Sequence, residues 1–227
     1  DVSITGGTPP YLVTLTDILI GVSNSYPSGS LPVTGLEATI YLVEITDDYG
    51  CAAEAIVIGG DFDAGQTFLP DGNGVTYTSD INISGFNTGQ TLTNVSQINS
   101  ICAVMEHSYA NDLTIVLEAP NGSQVMLKDV GPTGGSWNMC NMGEPVASGP
   151  VDNWNSSNTT PGLGYNYCWT NNPTYQTMGD EIQNHNVPQY TYVSTWGNTL
   201  TDYYLPAGSY TPEQSLAGFI GTDLNGT

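Results

Sequence analysis

Short runs of alternating apolar and polar residues, each cut off by a turn signal, recur along this chain and commit it to β structure. Residues 36–45 (LEATIYLVEI) alternate and are rich in strand formers. Asp47-Asp48-Tyr49-Gly50 is a turn, and residues 52–58 read as the returning strand, so the segment is a hairpin. Residues 98–105 (INSICAVM) are almost continuously apolar, which predicts a buried central strand. Residues 113–117 form the next strand. Pro120-Asn121-Gly122 turns it, and residues 124–127 return. Leu113, Ile115 and Leu117 share one face of the pleat, where Val125 and Leu127 should meet them. Residues 190–195 alternate again.

Helix signals are scarce. The clearest is Thr211-Pro212-Glu213-Gln214: Thr211 can cap, Pro212 suits the first helical position, and Gln214 completes a capping box. One or two turns are expected there, with Leu216 and Phe219 facing inward. Gly59-Gly60-Asp61 breaks the strand pattern and marks the expected boundary between a domain at 1–60 and another at 61–227. Residues 131–190, rich in Gly, Asn, Pro, Tyr and Trp, predict long loops with a few short strands. Many short strands with Gly/Pro-rich connections argue for an all-β sandwich or jelly roll.

Charge limits the partners. The chain has 22 acidic residues, no arginine and a single lysine, Lys128. Such a surface repels phosphate backbones and anionic lipid, which excludes nucleic acid and membrane adsorption as expected partners. No apolar run is long enough to cross a bilayer as a helix. Only 10% of residues are charged, so Asn, Thr, Ser, Gly and Gln must cover the surface, as in extracellular β-proteins. The cysteines, Cys51, Cys102, Cys140 and Cys168, are widely spaced and form no CxxC pair, which disfavours zinc and suits disulfides or buried thiols.

Two stretches resemble known families. Ile4-Thr5-Gly6-Gly7-Thr8-Pro9-Pro10-Tyr11 and Glu44-Ile45-Thr46-Asp47-Asp48-Tyr49-Gly50-Cys51 resemble a SprB-type repeat of gliding-bacterial adhesins. The resemblance implies a small Ig-like sandwich over residues 1–60. It also implies that Cys51 pairs with a cysteine near the start of the repeat, beyond the N-terminal end of this sequence. Residues 62–227 resemble the P-domain (P/Homo B domain) known from subtilisin-like proprotein convertases. The motifs are Glu106-His107-Ser108-Tyr109, residues 111–117 (NDLTIVL), Ala119-Pro120-Asn121-Gly122-Ser123, residues 205–210 (LPAGSY) and Asp223-Leu224-Asn225-Gly226-Thr227. That resemblance implies a jelly roll lacking its last strand. Together the two imply cargo of the type IX secretion system, with the export machinery and further repeats of the same long chain as partners.

No HExxH, GxSxG or Ser-x-x-Lys pattern occurs, and His107 and His185 are the only histidines. His107 sits in the P-domain motif, where the resemblance implies a structural role; no catalytic residue is expected. Asp47-Asp48 and Asp180-Glu181 are adjacent pairs, which point apart on a strand and make poor glycosidase pairs. Calcium is the cofactor expectation, because hard cations collect carboxylate and carbonyl oxygens. Asp63 and Asp71 near the Asp71-Gly72-Asn73-Gly74 loop, with Glu106 and Asp112 beside the strand signals, are its candidate ligands; plain solvated turns are the competing reading.

Aromatics gather in the loop region. Trp137, Trp154, Tyr165 and Trp169 could present a platform to surface glycans, although large aromatics more often pack inward. Cys140 and Cys168 bracket this region as a candidate disulfide, and Cys102, in an apolar strand, is expected as a buried thiol. The leading expectation is a non-catalytic structural and adhesive module at the bacterial cell surface, serving attachment or gliding. A lectin-like carbohydrate-binding module and the accessory domain of a secreted protease are the alternatives.

Overall fold

The structure, a computed structural model, describes residues 4, 6–18, 20–28, 39–59, 66–69, 75–84, 86–130, 140–146, 160–184, 186–194 and 196–227. It is an all-β protein, with one short α-helix among the described residues. These residues divide into two compact units, one drawn from 1–69, 76–90 and 224–227, the other from 70–75 and 91–223.

The first unit is built on four antiparallel strands: β1 (Leu12–Asp17), β2 (Val22–Pro27), β3 (Thr39–Thr46) and β4 (Ala52–Gly59), in the order β2-β1-β3-β4. The hairpin expected from residues 36–58 is β3–β4, closed from Thr46↔Ala52 to Thr39↔Gly59. Alternation sends Val13 and Leu15 of β1 to one face, where they join Tyr41 and Val43 in a buried cluster edged by Ile4, Tyr26 and Ile45. Each such side chain contributes about 1.5–3 kcal/mol on burial. The other face is mixed: a buried Ile40 and a half-buried Leu42 share it with threonines. Thr14 and Thr16 exchange hydroxyl hydrogen bonds with Ser25 and Ser23 at 3.0 and 2.8 Å. Asp47 fastens the start of the sheet to its hairpin turn. Its carboxylate accepts the N–H groups of Thr8, Tyr49 and Cys51 at 3.1, 3.0 and 2.8 Å.

The second unit holds eight strands among the described residues. β5 (Ile101–Met105), β9 (Tyr165–Trp169) and β12 (Gly208–Tyr210) form a sheet in the order β12-β9-β5; β8 (Cys140–Met142), β10 (Gln189–Val193) and β11 (Thr199–Leu205) form another in the order β10-β11-β8. β6 (Ile115–Glu118) and β7 (Gln124–Lys128) are a hairpin. The pairs β8–β11 and β9–β12 run parallel. Tyr167, Trp169, Tyr210, Met142, Leu205, Val125, Leu127 and Leu216 are buried at the centre.

The β6–β7 hairpin follows its sequence pattern: Val125 and Leu127 are buried, Leu117 faces Val125, and Val116 points out. Two other expectations are corrected. β5 is not a buried central strand but the edge of its sheet, with Cys102 and Val104 exposed on its outer face. An apolar run cannot distinguish a strand buried on both faces from an edge strand that buries one. Residues 211–214 are not helical, and the chain bends at Glu213 and Gln214. Gln214 uses its side chain to accept the Met126 N–H at 3.0 Å, and Glu213 and Gln214 donate backbone N–H groups to Leu127 and Met126. The helical turn starts later, at Leu216–Phe219, capped by Ser215, and does bury Leu216 and Phe219. The α-helix proper is α1 (Met178–Gln183). Thr177 caps it by accepting the Asp180 N–H, and Asp180 and Glu181 lie in its first turn, where the helix dipole favours carboxylates.

Candidate functional site

Tyr190 and Tyr192 stand two residues apart on β10, so the pleat puts them on one face. Their rings stack at 5.0 Å between centroids and 21° between planes. Tyr204 braces the first ring edge-on at 5.4 Å, and its own edge meets Tyr165 at 5.9 Å. The two phenol oxygens point into protein. Tyr192 donates to Asp202 Oδ2 at 2.6 Å, and Tyr190 accepts from Asn141 Nδ2 at 3.1 Å. Asn141 Nδ2 also reaches Asp202 Oδ2 at 3.4 Å. Both Asn141 and Asp202 are buried, which makes this a desolvated polar network holding two aromatic rings in place.

These tyrosines form one wall of a cavity of about 390 Å³, lined also by Glu144, Pro145, Val146, Pro161, Gly162, Leu163 and Val193. Part of the lining is two segments of backbone at close quarters. Glu144 and Leu163 exchange both backbone hydrogen bonds, at 2.9 and 3.0 Å. A Cβ on Gly162 would run into the carbonyl oxygen of Glu144, so only glycine fits there. The Glu144 carboxylate is oriented by the Tyr165 hydroxyl, which donates to Oε1 at 2.6 Å. That bond, with burial second, pushes the Tyr165 phenol up to about 12.

A second polar group surrounds Lys128, which is 1% exposed. Its Nζ donates to the carbonyl oxygens of Leu113 and Asp129 at 2.7 and 2.9 Å. Burial lowers its pKa to about 8, against the opposing pull of Glu213, Asp112 and Asp129. His107 lies on the same side of the unit, Nδ1 3.9 Å from Asp112 Oδ1. Burial lowers the His107 pKa, and Asp112 partly restores it. Its backbone pairs with Met142 through N–H···O bonds of 2.9 and 2.8 Å.

The expected site residues fall in different places. Of the calcium candidates, Glu106 accepts the Gly162 N–H at 3.4 Å and Asp112 faces His107, while Asp63 and Asp71 lie outside the described residues. Among the described residues, no three His, Cys, Asp or Glu side chains converge as a metal-binding group. Of the glycan-platform candidates, Trp169 is corrected outright. It is 1% exposed, inside the unit on β9, and presents no surface. Tyr165 is half-buried behind Glu144, and Trp137 and Trp154, like His185, lie outside the described residues.

The expected Cys140–Cys168 disulfide is also corrected: Cys168 is bonded to Cys102. These two are register partners on β5 and β9 with Cα atoms 4.0 Å apart, whereas Cys140 sits on β8 in the other sheet. Cys102 is therefore no buried thiol. Cys140 is, and burial pushes its thiol up to about 12; Cys51 is an exposed free thiol.

Sequence reasoning missed Tyr190, Tyr192, Asn141 and Asp202 as a group. The Tyr-x-Tyr alternation of β10 was visible as a strand signal, but its partners come from β8 and β11 and carry no local pattern. No membrane-spanning candidate exists among the described helices. No family model, curated protein or solved structure matches this chain.

Proposed function

We propose that this chain is a structural and adhesive module of a large secreted bacterial cell-surface protein, an Ig-like repeat followed by a P-domain-like jelly roll, exported by type IX secretion. The observation that carries the extracellular part of this reading is the Cys102–Cys168 disulfide, which joins neighbouring strands on the exposed face of an edge strand. Thiols so placed stay reduced in a cytosol and oxidise outside it. The charge pattern agrees: there is no arginine and the single lysine is buried, against 22 acidic residues. The adhesin and P-domain motifs supply the rest.

The test is localisation on intact cells. Antibodies against the chain should label the surface, external protease should remove the label, and non-reducing peptide mapping should recover Cys102 joined to Cys168. Label seen only after permeabilisation, with both thiols reduced, would overturn the reading.

Calcium belongs to the same reading, with Asp63, Asp71, Glu106 and Asp112 as its carboxylates. A cation bound only by the folded chain raises its melting temperature with concentration. A melt that climbs with added calcium supports those ligands; an unchanged melt removes calcium from the account.

A further inference from the structure

β5 is the most weakly seated strand of its sheet. It lies at the edge with β9 as its one strand neighbour among the described residues. None of its side chains is fully buried, whereas β9 buries Tyr167 and Trp169 and β12 buries Tyr210. Apolar burial therefore holds β5 less firmly than its neighbours. Across this seam runs the Cys102–Cys168 bond, joining register partners on the outer face, with Cys102 exposed and Cys168 half-buried. Exposed disulfides are the ones that exchange with thiols from outside. We propose that this disulfide is a reversible latch, opened in the folded protein by a dithiol reductant, and that opening it frees β5 from β9.

The exchange balances within the two partners. A thiolate of the dithiol attacks the exposed Cys102 Sγ, the bond to Cys168 breaks, and Cys168 leaves as a thiolate that takes a proton from water. The second thiolate of the reductant then attacks the mixed disulfide and closes the reductant's own ring or loop, releasing Cys102. Two electrons pass to the protein, which gains two thiols, and the dithiol becomes a disulfide. Ser100 Oγ lies 3.6 Å from Cys102 Sγ, so its hydroxyl can donate to the thiolate as it forms. The release stays local because the ends of β5 are fixed independently. Before the strand, Thr170 Oγ1 donates to the Asn99 carbonyl at 2.8 Å and Asn171 Nδ2 to the Val95 carbonyl at 3.2 Å. After it, His107 and Met142 exchange both backbone bonds, at 2.9 and 2.8 Å. The 4.0 Å Cα separation marks Cys102 and Cys168 as a non-hydrogen-bonded pair, so the ladder bonds to β9 lie at Ile101, Ala103 and Met105. The latch is a property of the folded chain and does not depend on where the protein resides.

The experiment treats the oxidised whole chain with dithiothreitol under native conditions, traps thiols by alkylation at intervals and locates them by mass spectrometry. Cys140 is the internal control, because its buried thiol meets the alkylating agent only when the unit unfolds. Cys102 and Cys168 should be trapped while Cys140 stays unmodified. In the reduced chain the amides of Ile101, Ala103 and Met105 should exchange at least about tenfold faster, while those of Val125 and Leu127 keep their protection. Oxidised glutathione should restore the slow exchange. A chain carrying Cys102→Ser and Cys168→Ser should show the fast β5 exchange with no reductant present. The proposal is overturned if the disulfide resists dithiothreitol until Cys140 is also alkylated, since opening then requires unfolding. It is equally overturned if β5 exchange is unchanged after reduction, or if the double variant exchanges like the oxidised parent.

Discussion

Lys128 Nζ donates to the carbonyl oxygen of Leu113 at 2.7 Å, so the only lysine of an arginine-free, acidic protein works inside it. The bond spans the irregular end of the β6–β7 hairpin, where the register slips between Ile115 and Val116 and Lys128 ends opposite Ile115. Leu113 and Asp129 lie just beyond the two strands, and the ammonium donates to both of their carbonyls.

Lys128→Met should therefore cost about 1–3 kcal/mol at neutral pH, by leaving buried carbonyls without a donor. Its pH dependence has a definite sign. The folded pKa, about 8, lies below the ordinary 10.5, so above pH 8 the unfolded chain holds the proton more often than the folded one. Stability from this group rises with pH in that window, by about 1 kcal/mol between pH 8 and 9. Denaturant melts of parent and variant across that interval should diverge by this slope; parallel melts would contradict the burial of the ammonium.

The disulfide closes a separation of 66 residues. Replacing Cys102 and Cys168 together by serine should cost about 2–4 kcal/mol. Alkylation of the native chain should modify the exposed Cys51 and spare Cys140 until denaturant is added. Modification of Cys102 without a reductant would disprove the pairing.

Asp47 should matter most at its own loop. Three backbone N–H bonds, that of Thr8 first, hold its carboxyl below the ordinary 3.8. The stabilisation is present above that value and is lost as pH falls through the lowered one. Asp47→Ala should speed amide exchange at Thr8, Tyr49 and Cys51 and leave the second unit unaffected. Unchanged exchange at those amides would show that the carboxylate does not fasten the loop.

Tyr192→Phe removes a donor from the buried Asp202 carboxylate and should cost about 1–3 kcal/mol. Asp202→Asn should cost less in a chain that already carries Tyr192→Phe than in the parent, because the two side chains share one interaction. A double-mutant cycle that adds without coupling would remove Asp202 as the anchor of that ring.

Gly162→Ala should destabilise the second unit by about 1–3 kcal/mol, since its methyl group must displace the Glu144 backbone. A melt within error of the parent would mean that the Glu144–Leu163 pairing is looser than its hydrogen bonds imply.

The sequence by itself determined the features that depend on neighbours along the chain. The β3–β4 and β6–β7 hairpins and the strand at Gln189–Val193 follow from side-chain alternation and turn residues, which act over a few positions. Tertiary structure decided whatever depends on which strands become neighbours. Cys168 meets Cys102 rather than Cys140 because β9 pairs with β5, and Trp169 is buried because β9 lies between β5 and β12. Gln214 caps no helix because Met126 offers its N–H instead. Asn141, Tyr190, Tyr192 and Asp202 meet only when β8, β11 and β10 are laid side by side. Alternation specifies a face, but pairing between distant strands is settled by burial and register over the whole sheet, and no local pattern encodes it.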